Sequence, residues 1–150
     1  MRAPHDVSNA GSSRNGHAPT ATPYILTVVT TQAPRPLRPP ERSVLNLILS
    51  AEFPGVEALR VQAATAIAVR ECSCGCPSVE LEVADTAPAA VGLSGRVLPF
   101  EGRVEQPGDE LHDDIIVFTD DGKLSYLEYV WHGDEPPAAW PPLADITIAR

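Results

Sequence analysis

An aspartate–glycine pair between two apolar runs leaves residues 115–131 few alternatives to a tight β-hairpin. Ile115-Ile116-Val117-Phe118 leads into Asp120-Asp121-Gly122, and Leu124 to Trp131 returns. The favoured two-residue turn holds both central residues at positive φ, which Asp and Gly tolerate and β-branched residues do not. On the return run Leu127, Tyr129 and Trp131 share one face, while Leu124, Tyr126 and Val130 share the other. Apolar residues on both faces predict a strand covered from both sides, in a central position or at an oligomer contact.

Three further strands are predicted upstream. Thr65 to Glu71 alternates Ile67 and Val69 with Ala66, Ala68 and Arg70. Ser78 to Asp85 sets Val79, Leu81 and Val83 against Glu80 and Glu82, the pattern of one wet face. Leu93 to Phe100 follows an Ala/Pro-rich break. Helix is predicted from Glu41, where Pro39 and Pro40 preset the entry and the carboxylate complements the helix dipole. Val44, Leu47, Ile48 and Ala51 then recur at the spacing of one buried face, until Phe53-Pro54-Gly55 stops it. A second helical turn fits Val56–Gln62, with Val56, Leu59 and Ala63 in period. Gly133 to Pro142 reads as a proline-rich loop that leaves Trp140 free to pack back on the sheet. The fold class expected is α+β: an N-terminal helix, or two, packed on an antiparallel β-meander.

The chain of 150 residues fits one core of ordinary size. Residues 1–21 are rich in Ser, Asn, Gly, Ala and Pro and predict a disordered N-terminal tail. Tyr24 to Thr31 is β-branched and reads equally as an edge strand or as a sticky piece of that tail. Ala33 to Pro40 reads as an extended proline linker. The domain division is therefore 1–40 for tail and linker and 41–150 for a single α+β domain.

Charge narrows the partners. Residues 1–40 carry +3, residues 41–100 carry −3 and residues 101–150 carry −9. A surface this acidic, with no basic stripe, repels phosphate backbones, so neither nucleic acid nor an anionic membrane is expected as a partner. Met1 to Thr22 has no apolar run of signal-peptide length, and the stretch from Tyr24 to Val29 is too short to span a bilayer. With an odd, crowded set of thiols, this points to the reducing cytoplasm.

Those thiols carry the only distinctive chemistry. Cys72-Ser73-Cys74-Gly75-Cys76-Pro77 holds all three cysteines of the chain, between two predicted strands and with two turn formers among them. A hairpin with the cysteines at its tip brings the sulfurs together to hold a soft metal, exchange electrons or simply pack. Zinc selects about four ligands, and Cys72, Cys74 and Cys76 supply three, so the missing nitrogen falls to His112 or His132. Thiol redox chemistry has less behind it: Arg70 is the nearest cation in sequence, and Glu71 and Glu80 oppose it. His112-Asp113-Asp114 and Asp120-Asp121 are explained by an acidic loop and a hairpin turn. Trp131-His132-Gly133-Asp134-Glu135 sets an aromatic beside a titratable group, as pocket linings do. Glycine-rich phosphate loops and serine elbows are lacking.

Several local motifs occur together in order: Phe53-Pro54-Gly55, the Cys-x-Cys-Gly-Cys-Pro-Ser run ending at Ser78, Asp121 to Glu128, and Asp134-Glu135-Pro136-Pro137 with Trp140-Pro141. Over residues 41–143 the chain resembles a group of small actinobacterial proteins with no established function. The resemblance implies membership and carries no activity with it. From the residues, the expected function is that of a non-enzymatic module binding a protein partner, or itself, with no catalytic residues and no cofactor. The alternative is a zinc-binding or thiol-redox protein using the cysteines.

Overall fold

The computed structural model describes residues 32–108 and 111–150; the expectations for residues 1–21 and 24–31 fall outside them. In chain order the elements are β1 (Arg35–Pro36), α1 (Pro39–Ile48), α2 (Val56–Thr65), β2 (Ile67–Glu71), β3 (Val79–Glu82), β4 (Glu101–Glu105), β5 (His112–Asp120), β6 (Lys123–Val130) and β7 (Ile146–Ala149). The architecture is mixed α+β and mostly sheet. Seven strands form one sheet in the order β1-β2-β3-β6-β5-β4-β7, with every neighbouring pair antiparallel. That order is not a meander. The chain leaves β3, crosses over residues 83–100 to lay down β4 on the far side, and returns through β5 and β6 to pair with β3.

The hairpin at 115–131 forms as its turn residues dictate. Asp120 pairs with Lys123 across a two-residue turn whose Asp121 and Gly122 lie at φ +50° and +75°. Gly122 is doubly required, because a Cβ there would lie 2.3 Å from the carbonyl oxygen of Ala90 in the crossing loop. On β5, Ile115 and Val117 face the core and Ile116 and Phe118 the opposite side, an alternation that fixes the register.

Both helices pack on one face of the sheet. Leu45 and Ile48 of α1 and Leu59 of α2 join Val79, Ile115, Val117, Leu124 and Leu127 in one buried cluster. The α1 boundary lies two residues before Glu41, with the two prolines in its first turn. Its buried face includes Glu41, which is 2% exposed.

Three expectations need correction. Residues 93–100 make no strand: Val97 forms a single bridge to Phe118, and Pro99, which has no N–H to give, separates it from β4. Strands β4 and β7 were not expected, β4 because Glu101-Gly102-Arg103-Val104-Glu105 carries only one apolar side chain. The proline segment is not a free spacer either. Arg35 and Pro36 pair with Ala68 and Ile67, and Leu37 is buried in the core, so the folded unit reaches back to β1. Among the described residues no helix is long and apolar enough to cross a membrane.

Candidate functional site: a three-cysteine loop

Residues 72–78 connect β2 to β3 and form the hairpin tip expected from the turn formers. The amide of Cys72 donates to the Ser78 carbonyl at 3.1 Å, closing the loop. The amide of Gly75 donates back to the Cys72 carbonyl at 3.3 Å. Gly75 adopts φ +89°, a backbone state that side chains strain, and this reversal curls the loop inward. The sulfurs converge because the backbone turns, not because alternate residues share one side of an extended strand.

The three Sγ atoms all lie within 4.8 Å of one another. Cys72 and Cys74 are closest, with their sulfurs 2.8 Å apart, and Cys74 Sγ also accepts the amide of Cys76 at 3.4 Å. The three thiols differ in access: Cys74 is exposed, Cys72 intermediate and Cys76 buried. Below them sits Ser78, 1% exposed, whose Oγ accepts the thiol of Cys76 at 3.2 Å and the amide of Tyr129 at 2.9 Å. The innermost thiol is thus tied to the central strand β6. On that same strand the Tyr126 hydroxyl is held protonated above its usual range, first by burial, then by the charge it would share with Cys72, Glu128 and Cys76.

A cleft of about 350 Å³ opens beside the sulfurs, with Arg38, Glu41, Glu71, Cys72, Cys76 and Trp140 in its wall. Its charged groups are already committed. Arg35 forks onto Glu41 at 2.7 and 2.8 Å and reaches Glu71 at 2.8 Å, Arg38 pairs with Glu71 at 2.8 Å, and the Arg38 amide donates to Glu41 at 2.6 Å. Hydrogen bonding to Arg35 is the main cause that holds the Glu71 carboxyl below the ordinary glutamate range. The same contacts raise the Arg35 guanidinium further, led by Glu41.

The structure does not bring His112 or His132 to the thiols. Among the described residues the group of potential metal ligands holds Cys72, Cys74 and Cys76 alone. His112 Nε2 lies 3.2 Å from Asp114, and His132 sits by Asp113, its Nδ1 3.8 Å away and its amide donating at 3.1 Å. His112-Asp113-Asp114 is no loop but the start of β5, and Asp113 is 6% exposed. Asp113 also accepts Gln106 at 2.7 Å and the Tyr129 hydroxyl at 3.0 Å, so it clamps the 131–142 loop to the sheet. Burial, and then this hydrogen bond, push the Tyr129 phenol well above its ordinary value, so it remains a donor.

Chemically, three soft donors within reach of one centre suit a thiophilic ion. A tetrahedral ion with bonds of about 2.3 Å to sulfur spaces its ligands about 3.8 Å apart. The 2.8 Å contact of Cys72 with Cys74 lies below that spacing and the 4.8 Å limit above it, so a bound ion would move exposed Cys74 outward, away from the Cys76 amide it now accepts. Sequence reasoning found the three thiols but missed Ser78, Arg35, Arg38, Glu71 and Trp140, whose parts depend on pairings across distant strands. Compared with known proteins, the chain matches no family model, no curated protein and no solved structure.

Proposed function

We propose that the chain is a small metal-binding module whose ligands are the thiolates of Cys72, Cys74 and Cys76. The observation that carries this is the convergence of all three sulfurs within 4.8 Å on one loop. The loop is held from below by Ser78, which anchors its innermost ligand to β6 through the amide of Tyr129. Outer hydrogen bonds of this kind orient a ligand and tune its basicity. Catalysis has less behind it, since Asp113 is committed to Gln106, the Tyr129 hydroxyl and the His132 amide. Redox exchange has less support than metal binding, since Arg70 pairs with Glu80 at 3.1 Å and Arg35 and Arg38 are spent on Glu41 and Glu71. The reading presumes a reducing compartment such as the cytoplasm.

Titration of the reduced chain with cadmium, a thiophilic probe with a thiolate absorption band, tests it. One ion per chain is expected, with affinity rising with pH as the ligands lose protons. A Cys72→Ser/Cys74→Ser/Cys76→Ser variant that keeps its circular dichroism spectrum yet binds as well as the parent would refute the reading.

A second reading keeps a protein partner, or a second copy of this chain. The sheet face away from the helices carries Ile116, Phe118 and Tyr126, only partly buried, with the last two rings edge to face at 6.2 Å. Sedimentation across a wide concentration range, with Phe118→Asp as the control, separates self-association from a heterologous partner.

A further inference from the structure

We infer that this site, if it is the trithiolate centre proposed above, is built for a three-coordinate soft ion, copper(I), in preference to zinc. The donor set is all sulfur, which favours copper(I), zinc and iron–sulfur clusters over hard cations. Within that group, coordination number decides. Zinc completes a tetrahedron, with a fourth protein ligand in structural sites or a water in catalytic ones. A fourth protein ligand is not provided here. No imidazole or carboxylate joins the three sulfurs among the described residues.

The two carboxylates in the cleft wall are taken on both sides. Glu41 holds the fork of Arg35 and the amide of Arg38, and Glu71 is shared by Arg35 and Arg38. Turning either one to the metal would break its ion pair with Arg35, whose side chain is only 19% exposed. Beyond Arg38 the wall is largely apolar, with Pro40, Pro77, Val79 and Ala138, and the buried Nε1 of Trp140, unpaired among the described residues, is a donor, not an acceptor for a metal-bound water. A copper(I) ion needs no such help. It exchanges three thiol protons for three Cu–S bonds, with no change of oxidation state, and its trigonal plane leaves no position to fill.

The loop supports that plane unequally, and the inequality gives a handle. Cys76 is the buried anchor on Ser78, whereas exposed Cys74 closes the triangle. Cys74→Ser should leave the fold intact and the site one sulfur short. Ser78→Ala keeps all three sulfurs but removes the hydroxyl beneath Cys76, and should weaken binding roughly 10- to 100-fold.

The test is anaerobic titration of the full reduced chain with copper(I) against a copper(I)-specific chelator, and with zinc against a zinc chelator. X-ray absorption at each metal edge reads the coordination number. The expected result is one copper per chain bound by three sulfurs and nothing else, retained in His112→Ala and His132→Ala and lost to the chelator in Cys74→Ser. Zinc should be surrendered to a weak competitor. Zinc held firmly in a four-coordinate site, whether completed by nitrogen or by water, would overturn the choice of copper while preserving the trithiolate centre. Several coppers per chain would also overturn it, since a single triangular site takes one. If neither ion binds better than to Cys72→Ser/Cys74→Ser/Cys76→Ser, both inferences fail together.

Discussion

Gln62 shows how much a single buried side chain can organise. It lies on the core face of α2 with no measurable exposure. Its Nε2 donates to the carbonyls of Pro88 at 2.6 Å and Gly122 at 2.9 Å, while its Oε1 accepts the amide of Leu124 at 2.8 Å. One amide therefore fastens the helix, the crossing loop and the hairpin turn through three backbone groups, of which the Gly122 carbonyl also accepts the Ala90 amide at 2.8 Å. Gln62→Leu conserves volume but takes this partner from the Leu124 amide and the Pro88 carbonyl, and should cost about 2–4 kcal/mol in urea denaturation. A loss under 1 kcal/mol would mean that the turn finds other partners. Gln62 falls in the same period as Val56, Leu59 and Ala63, so its burial was legible, but a polar residue at a core position does not announce what it will bind. The turn it binds was the most legible feature of all, because Asp121 and Gly122 have so few other uses between apolar strands.

Among elements, β1 and β2 depart furthest from their sequence patterns. In β2, Ala68 faces the core at 2% exposure, and Ala66 just before it at 1%, while Ile67 and Val69 are only partly buried. The smaller side chains of the alternation, not the larger, take the core side. The observed arrangement follows from α2, which ends at Thr65 and feeds straight into the strand, and from the register shift between Ala68 and Arg70. The two-residue strand β1 is held by Arg35, which joins Glu41 of α1 to Glu71 of β2. Pairing of this kind joins three elements distant in sequence, and a proline-rich composition hides it. The Glu71 carboxyl is depressed mainly by Arg35, so its folded-state value lies below its unfolded one. Its contribution is present above the ordinary glutamate value and lost as pH falls through the depressed one. The melting temperature should therefore drop on acidification below about pH 4, and Glu71→Gln should flatten that part of the profile. An unchanged profile in Glu71→Gln would place the acid sensitivity elsewhere.

For the whole molecule, one cluster spans both helices and both halves of the sheet, so β1 at one edge is part of the same cooperative unit. A chain beginning at Glu41 would lose Arg35 and Leu37 and leave Glu41 buried without its cation. It should be about 3–5 kcal/mol less stable than one beginning at Gln32; equal stabilities would restore the linker reading of residues 33–40. The architecture also explains how much of the site could be read in advance. Three cysteines between two strand patterns specified a thiol-bearing tip, since the turn residues lie in the loop itself. His112 and His132, the possible fourth ligands, lie on β5 and just beyond β6, beside Asp114 and Asp113, and are not among the sulfurs. No local pattern encodes which end of a seven-stranded sheet a residue will reach.

The central claim is that the three sulfurs form one metal site, and the most direct measurement is metal content as isolated. The full chain, produced without a metal-binding tag and purified anaerobically under reducing conditions, should carry one thiophilic ion per chain by native mass spectrometry and elemental analysis. Cys76→Ser should carry none while keeping its fold. Metal-free protein with three freely titrating thiols, which also fails to take up an ion on reconstitution, would contradict the account and leave the cysteine loop as architecture.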